Sequence, residues 1–144
     1  MKRTPLKRKT PLRKYGKSER SKLIKDLDKL FRLVLIKKRG DIDEITGNPG
    51  NRLGTFHIMP KGAYPRLRYS ERNCLLVNWF PAHFSWHHDN PGHKTYDMVL
   101  RRIKELRGDD YVEKLKMQET MADKISMSHL RLLKCVFEKE LEEK

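Results

Sequence analysis

Four of the six histidines in this 144-residue chain fall within eleven consecutive positions, and two of them have the spacing of paired metal ligands. They are His83, His87, His88 and His93. His83 and His87 are four residues apart, so a helix would stack both imidazoles on one face, where they can bind one metal ion. A bare HxxxH pattern is weakly specific, and the competing interpretation is a polar helix face whose histidines bind nothing. The clustering favours the metal site.

Two residues further upstream supply what hydrolysis needs besides a metal ion. His57 lies near the end of one apolar stretch, and Asn73 opens the next. A neutral imidazole can take a proton from water near pH 7, and an amide side chain can fix the orientation and tautomer of that ring. Taken singly, His57 is more often a structural residue and Asn73 a turn residue. The order His, Asn, His in a basic chain favours phosphodiester hydrolysis with His57 and Asn73 as catalytic residues, because a metal held by the helical histidines would stabilise the charge that develops on a phosphate.

Two strands and a helix are predicted to position these residues. The spacing of Leu23, Leu27, Leu30, Phe31 and Val34 predicts a helix from residue 18 or 21 to residue 38, and Gly40 follows it as a stop. Two short strands, 53–59 and 74–77, are expected to be joined by a long basic loop. Pro81 can begin a helix over residues 82–88, which would carry the histidines.

The C-terminal third is predicted to be helical, over residues 95–107, 109–116 and 128 to the end. The last helix has an apolar face of Leu130, Leu133, Val136, Phe137 and Leu141, which is either core or a dimer seam. The fold class is therefore α+β and mainly helical, with two short antiparallel strands and a helix at the centre and further helices at both ends.

The net charge of +14, from 33 Lys and Arg against 19 Asp and Glu, indicates a polyanionic partner. Residues 1–22 contain ten basic residues and one Glu, and they carry the repeat TPLKR and TPLRK. They predict a disordered arm that holds DNA phosphates, followed by a single domain over residues 23–144. A solvated tail is the alternative. The arm residues that we expect to bind nucleic acid are Lys7, Arg8, Lys9, Arg13 and Lys14.

The loop between the strands adds four basic candidates for phosphate contacts, which are Lys61, Arg66, Arg68 and Arg72. Arg68 is favoured, because a guanidinium fork can bind two phosphate oxygens. For any one of these residues, simple solvation is about as plausible.

No apolar run approaches the length of a membrane span, and the start of the chain lacks the apolar region of a signal peptide. Cys74 and Cys135 form no CxxC pair. We therefore expect a cytoplasmic protein with two free, reduced thiols, each a small buried hydrophobe.

Several stretches resemble phage recombination nucleases of the NinG (Rap) type, within the HNH (ββα-metal) endonuclease superfamily. They are KRTPL at 2–6, LDKLF at 27–31, TFHIMPKG at 55–62, LRYSERN at 67–73 and WHHDNP at 86–91. The resemblance covers about residues 2 to 117. It implies a ββα-metal core and a phage enzyme that cuts branched or duplex DNA during recombination or replication in the host cytoplasm. The expected cofactor is Mg²⁺ or Mn²⁺, with Zn²⁺ or Ni²⁺ as alternatives.

The chain departs from this family in two ways. Many members have two CxxC pairs that bind a structural zinc, whereas the matching regions here read DIDEIT at 41–46 and NWFP at 78–81. No structural zinc is expected, and packing by Trp79, Phe80 and Phe84 would replace it. The interval between Asn73 and the helical histidines is also one residue longer than usual, which leaves open whether His87 or His88 is the second helical ligand. Phe56 stands where many relatives have a ligand, so water, phosphate or another side chain would complete the metal shell.

Two other functions compete with the nuclease. One is a basic DNA-binding protein for recombination or packaging that has lost its chemistry, and the other is a metal storage or sensor site, which would leave the basic arm unexplained. A homodimer or a phage protein is the candidate protein partner.

Overall fold

A computed structural model describes residues 18–50, 52–78, 84–118 and 124–143, and within them it shows an α+β fold of five helices and one two-stranded sheet. The order of elements is α1 (Glu19–Arg39), β1 (Leu53–His57), β2 (Cys74–Asn78), α2 (Phe84–His88), α3 (Lys94–Arg107), α4 (Tyr111–Gln118) and α5 (Met127–Glu142). Two single turns of 3-10 helix, Pro65–Leu67 and Glu71–Asn73, lie in the loop between the strands. The predicted fold class is confirmed.

Helix α1 begins and ends at local signals in the sequence. The Ser18 hydroxyl accepts a hydrogen bond from the Ser21 N–H, which caps the first turn. Gly40 ends the helix with a φ of 83°, a conformation that glycine adopts without steric cost.

The boundary that we predicted between the arm and the domain was placed too late. Residues 18–22 belong to α1 and its cap, and not to the arm. Arg20 fixes this end, because its Nη2 donates to the main-chain oxygen of Ile125 over 2.7 Å. Residues 1–17, with the five arm residues named above, lie outside the described part of the chain.

The two strands pair antiparallel, with Leu53 opposite Asn78 and His57 opposite Cys74. Strand β1 ends two residues before the predicted end, because the Asn73 side chain takes over the pairing. Its Oδ1 accepts from the N–H of Met59 and its Nδ2 donates to the Met59 carbonyl, so Met59 bonds to a side chain and not to a strand.

The sheet lies between two helical layers, because successive residues of a strand point to opposite faces. On one face, α1 and α5 bury Leu27, Phe31, Leu53, Leu76, Leu130 and Phe137 together. On the other face, α2, α3 and α4 pack against the sheet and bury Phe56, Leu75, Val77, Trp86, Ile103 and Leu115. Both faces of the hairpin are therefore core, and the outer helices are what make so small a sheet stable.

Helix α5 contributes to the core through Leu130 and Phe137, which are buried against α1. The sequence did not decide whether the apolar face of α5 is core or a dimer seam. The structure shows that this face is core, although Val136 remains 46% exposed. Both cysteines are free thiols, as predicted, and Cys74 is buried. Cys135 is exposed, and the expectation that it is buried was wrong, because it lies on the outer side of α5.

Two carboxylates attach the loop over residues 41–50 to strand β2. The buried Asp43 carboxylate accepts hydrogen bonds from the N–H groups of Ile45, Thr46 and Asn78, at 2.9, 3.0 and 2.9 Å. Glu44 accepts from the Leu76 N–H and pairs with Arg39 at 3.0 Å. These bonds organise the loop over residues 41–50. The predicted packing by Trp79, Phe80 and the Phe84 side chain lies outside the described residues.

Candidate functional site

His57 is buried at the end of β1, with 7% of its surface exposed. Its Nε2 lies 2.8 Å from the main-chain oxygen of Arg68. A carbonyl oxygen only accepts hydrogen bonds, so Nε2 carries the proton and Nδ1 carries the lone pair. Nδ1 has no hydrogen-bond partner among the residues that the structure describes. The ring is thereby held in one tautomer, with one nitrogen able to accept a proton.

Burial keeps this imidazole neutral. It lowers the pKa of His57 from 6.5 to about 4, and the positive charge of Lys61 acts in the same direction. The hydrogen bond to Arg68 and the negative charge of Asp28 oppose this shift without cancelling it. The expectation of a pKa near neutrality does not fit this environment, because sequence spacing gave no measure of how deeply the ring is buried.

Asn73 is completely buried, but its amide does not contact the imidazole as we had predicted. Its three side-chain hydrogen bonds go to the N–H and carbonyl of Met59 and to the carbonyl of Leu67. The amide therefore holds Met59 and Leu67, two positions of the loop that follows His57, in place. The Arg68 carbonyl, which belongs to that loop, orients the ring in its place.

Helix α2 brings His87 and His88 to the same pocket as His57. This pocket has a volume of about 450 Å³ and is also lined by Thr55 and Lys61. His87 is half-buried, and its ring stacks on Phe56 with centroids 5.9 Å apart. His88 is exposed. His83 lies outside the described residues, so its place relative to this pocket is not described.

Burial lowers the pKa of His87, and the neighbouring His88 adds to that effect. The His57 main chain acts in the opposite direction without cancelling the shift. His87 is therefore held neutral, which is the protonation state that a metal-binding imidazole requires.

The described ranges contain no group of three or more His, Cys, Asp or Glu side chains placed to hold one metal ion. Asp89, the nearest carboxylate in sequence, accepts from the Ser85 hydroxyl and pairs with His93 at 3.2 Å. The pocket thus offers imidazoles from His57, His87 and His88, and no carboxylate among its described lining residues.

Arg68 forms a two-pronged ion pair with Asp28 of α1 and not an open phosphate clamp. Its Nε and Nη2 lie 3.0 and 2.6 Å from the two carboxylate oxygens of Asp28. The Tyr69 hydroxyl donates to the same carboxylate over 3.1 Å, and burial raises the pKa of that hydroxyl above its ordinary value. An acid forty residues away therefore occupies the fork that was expected to bind phosphate, and phosphate binding by Arg68 stays a prediction.

The other three basic residues of the loop line three different pockets. Lys61 lines the His57 pocket, 49% exposed and 3.8 Å from Asp28. Arg66 lines a separate pocket with His129. Arg72 lies beside α4, where the Tyr111 hydroxyl donates to its main-chain oxygen. Of the four predicted phosphate contacts, only Lys61 lines the same pocket as His57.

Sequence reasoning missed Thr55, which also lines the His57 pocket. Within the described residues, its hydroxyl is the one buried side-chain polar atom without a hydrogen-bond partner. Thr55 stands two positions before His57 on a strand, so the period-2 rule placed both on one face and could have identified it.

No helix in the described part of the chain combines the length and apolarity needed to cross a bilayer. Comparisons of the chain with models of protein families, with curated proteins and with solved structures found no match.

Proposed function

We propose that this protein is a metal-dependent DNA endonuclease of the HNH type, which hydrolyses phosphodiester bonds. The observation that carries the proposal is the environment of His57, a buried and neutral imidazole held by the Arg68 carbonyl in a pocket that it shares with two helical histidines. A strand-end base next to imidazole ligands is suited to activating water against a phosphate.

His57 is the general base in this proposal. Its Nδ1 takes a proton from the attacking water, and the Arg68 carbonyl stabilises the charged ring that results, since it accepts from Nε2–H in both states. A pKa of about 4 makes the ring a weak base in the free protein. The negative charge of a bound phosphodiester raises the pKa of an adjacent imidazole, so the base becomes stronger when substrate is in place.

His87 and His88 are the proposed metal ligands among the described residues, and His83, which lies outside them, is a third candidate. The lowered pKa of His87 and its stacking on Phe56 fit this role, since a metal-binding imidazole must be neutral. Imidazoles without a carboxylate favour Zn²⁺ or Ni²⁺, whereas Mg²⁺ or Mn²⁺ would take its remaining oxygen ligands from water and phosphate. When bound, such an ion neutralises charge on the phosphate and the leaving oxygen.

The net charge of the chain supports DNA as the class of substrate. A net charge of +14, much of it in residues 1–22, suits a DNA backbone and is not needed by a metal store or sensor. Lys61 adds a positive charge at the His57 pocket itself. The proposal extends to a phage enzyme of recombination or replication that acts on branched or duplex DNA in the host cytoplasm.

The test is cleavage of supercoiled plasmid by the full chain with Mg²⁺, Mn²⁺, Zn²⁺ or Ni²⁺, each compared with EDTA. We expect nicked and linear products with at least one metal. His57→Ala should lose cleavage by about 10²–10⁴-fold and keep DNA binding, as expected for a general base. His93→Ala is the matched control, because His93 is exposed and outside the pocket. Absence of cutting with every metal would refute the nuclease.

One observation favours a second function, that of a non-catalytic DNA-binding protein for recombination or packaging. Within the described ranges the histidines are not joined by a third metal ligand. Such a protein would bind DNA equally well with and without His57, and no metal would stimulate cutting.

A further inference from the structure

Three pockets lie in series from the candidate histidines to the start of α5. The His57 pocket shares Lys61 and Gly62 with a second pocket of about 230 Å³. The second shares Lys124 and Ile125 with a third pocket of about 490 Å³. We call these three adjoining pockets the basic groove.

The basic groove is lined by Lys and Arg side chains along its whole length. They are Lys61, Arg20, Arg68, Lys124 and Arg66, and His129 lies in the last of the three pockets. No Asp or Glu is among the described residues that line the three pockets, although acids make up 19 of the 144 residues in the chain. Asp28, from outside the groove, pairs with Arg68 at 2.6 Å and lies 3.8 Å from Lys61, so these two cations share one acid.

The basic residues of the groove come from three separate segments, and Arg20 and Arg68 join these segments by hydrogen bonds. Arg20 of α1 donates to the Ile125 carbonyl over 2.7 Å, which joins the start of α1 to the segment before α5. The loop over residues 60–70 forms the wall between them, tied to α1 by the pair of Arg68 and Asp28. The positive residues are thus held on a preformed surface, which costs less entropy on binding than a disordered arm.

The pocket of about 490 Å³, which is the far pocket of the groove, is lined by side chains of the types that donate hydrogen bonds to DNA phosphates. Arg66, Lys124 and His129 line it together with the hydroxyl residues Ser70 and Ser126. Arginine, lysine and serine side chains supply most protein contacts to phosphate oxygens. Ser126 also caps the first turn of α5 through the His129 N–H, so the positive end of that helix dipole adds to the field.

We propose that the basic groove binds the sugar–phosphate backbone of duplex DNA, and that Arg66 and Lys124 hold a phosphate remote from the one that is cut. This inference rests on the proposed function for its substrate. It adds a second contact region, built partly from α1 and α5, to the contact at Lys61. An acidic protein surface is the competing partner.

The experiment compares the salt dependence of DNA binding by the full chain with that of the double variant Arg66→Gln, Lys124→Gln. A fluorescent duplex is titrated in EDTA at several salt concentrations between roughly 50 and 200 mM, and log affinity is plotted against log salt. The slope should become shallower by about 1 for each removed contact, with weaker binding throughout. The matched control is Arg101→Gln, Lys104→Gln, which removes the same charges from exposed positions of α3 outside the groove.

An unchanged slope in the groove variant, or an equal change in the control, would overturn the inference. The single variant Lys124→Gln, at an exposed position, repeats the test if the double variant unfolds. Competition with polyglutamate distinguishes the partners, because an equal loss of affinity for that peptide would argue against a phosphate site. This binding assay contains no metal, and cleavage is measured separately with each metal. A shallower slope together with no cleavage in that second assay supports the groove and refutes the nuclease, whereas cleavage with an unchanged slope does the reverse.

Discussion

The imidazole of His57 donates from Nε2 to the main-chain oxygen of Arg68, and the two atoms are 2.8 Å apart. The side chain of Arg68 is in turn held by Asp28 on α1. The orientation of the candidate base therefore depends on an ion pair between a loop and a helix, neither of which belongs to the strand that carries the base.

Acid should destabilise the fold through His57. The folded protein keeps this ring neutral down to a pKa of about 4, whereas the unfolded chain protonates it below 6.5. Between these values the unfolded state binds more protons, so the free energy of unfolding falls as pH falls, by about 3 kcal/mol for this group. Below the folded pKa the loss levels off. Denaturant unfolding in EDTA from pH 7 to pH 4 measures it.

His57→Gln keeps an amide donor for the Arg68 carbonyl and should flatten the pH dependence in that window. His93→Gln removes an exposed imidazole and should leave the dependence as it is in the unmodified protein. Equal curves for the unmodified protein and His57→Gln would show that His57 is not held neutral by burial.

Breaking the ion pair between Asp28 and Arg68 should reduce stability more than it reduces DNA binding. Asp28→Asn leaves a half-buried guanidinium without its carboxylate partner, at an expected cost of about 1–3 kcal/mol. Asp26→Asn is the control on the same helix, because Asp26 is exposed. Thermal unfolding and the salt slope of DNA binding are measured together. A marked change of slope with unchanged stability would restore Arg68 as a phosphate contact.

Of the two described helical histidines, His87 should contribute more to metal affinity. It is half-buried and stacked on Phe56, and its pKa is lowered, whereas His88 is exposed. We expect His87→Ala to weaken Zn²⁺ or Ni²⁺ binding by more than about tenfold and His88→Ala to weaken it less. Isothermal titration of both variants, with His83→Ala beside them, measures this. Unchanged affinity in all three would show that these histidines do not bind the ion.

The new boundary of the basic arm predicts different effects for two truncations. Removal of residues 1–17 should leave the melting temperature unchanged and make the salt slope of DNA binding shallower, by about 0.9 for each lost phosphate contact. Removal of residues 1–22 also deletes the Ser18 cap and the bond from Arg20 to Ile125, and should lower the melting temperature. Equal melting temperatures for the two truncations would contradict the boundary at Ser18.

The features that sequence predicted depend on nearby residues. Ser18 and Gly40 mark the ends of α1, and the apolar stretches around Phe56 and Leu75 became the paired strands, because caps and periodicity act within a few positions. The order of His57, Asn73 and His87 along the chain, and not a local rule, predicted that His57 and His87 line one pocket.

The features that sequence did not predict depend on contacts between distant residues. Asp28 and Arg68 are forty positions apart, and no spacing rule pairs them. The amide of Asn73 bonds to Met59 and not to the imidazole, which follows from the path of the loop in three dimensions. The low pKa of His57 likewise results from burial between layers that only the folded chain brings together.

Helices α1 and α5 share one core, although all the other elements lie between them in sequence. Contacts of such long sequence separation slow folding, because the chain pays the entropy of closing the loop before it buries the shared surface. Helix α1 cannot bury Leu27 and Phe31 by itself. The side of the basic groove that Lys124 lines is also missing until α5 docks. The docking of α5 therefore couples the completion of the core to the assembly of the surface that we propose for DNA, so a chain cleaved between α4 and α5 should lose both together.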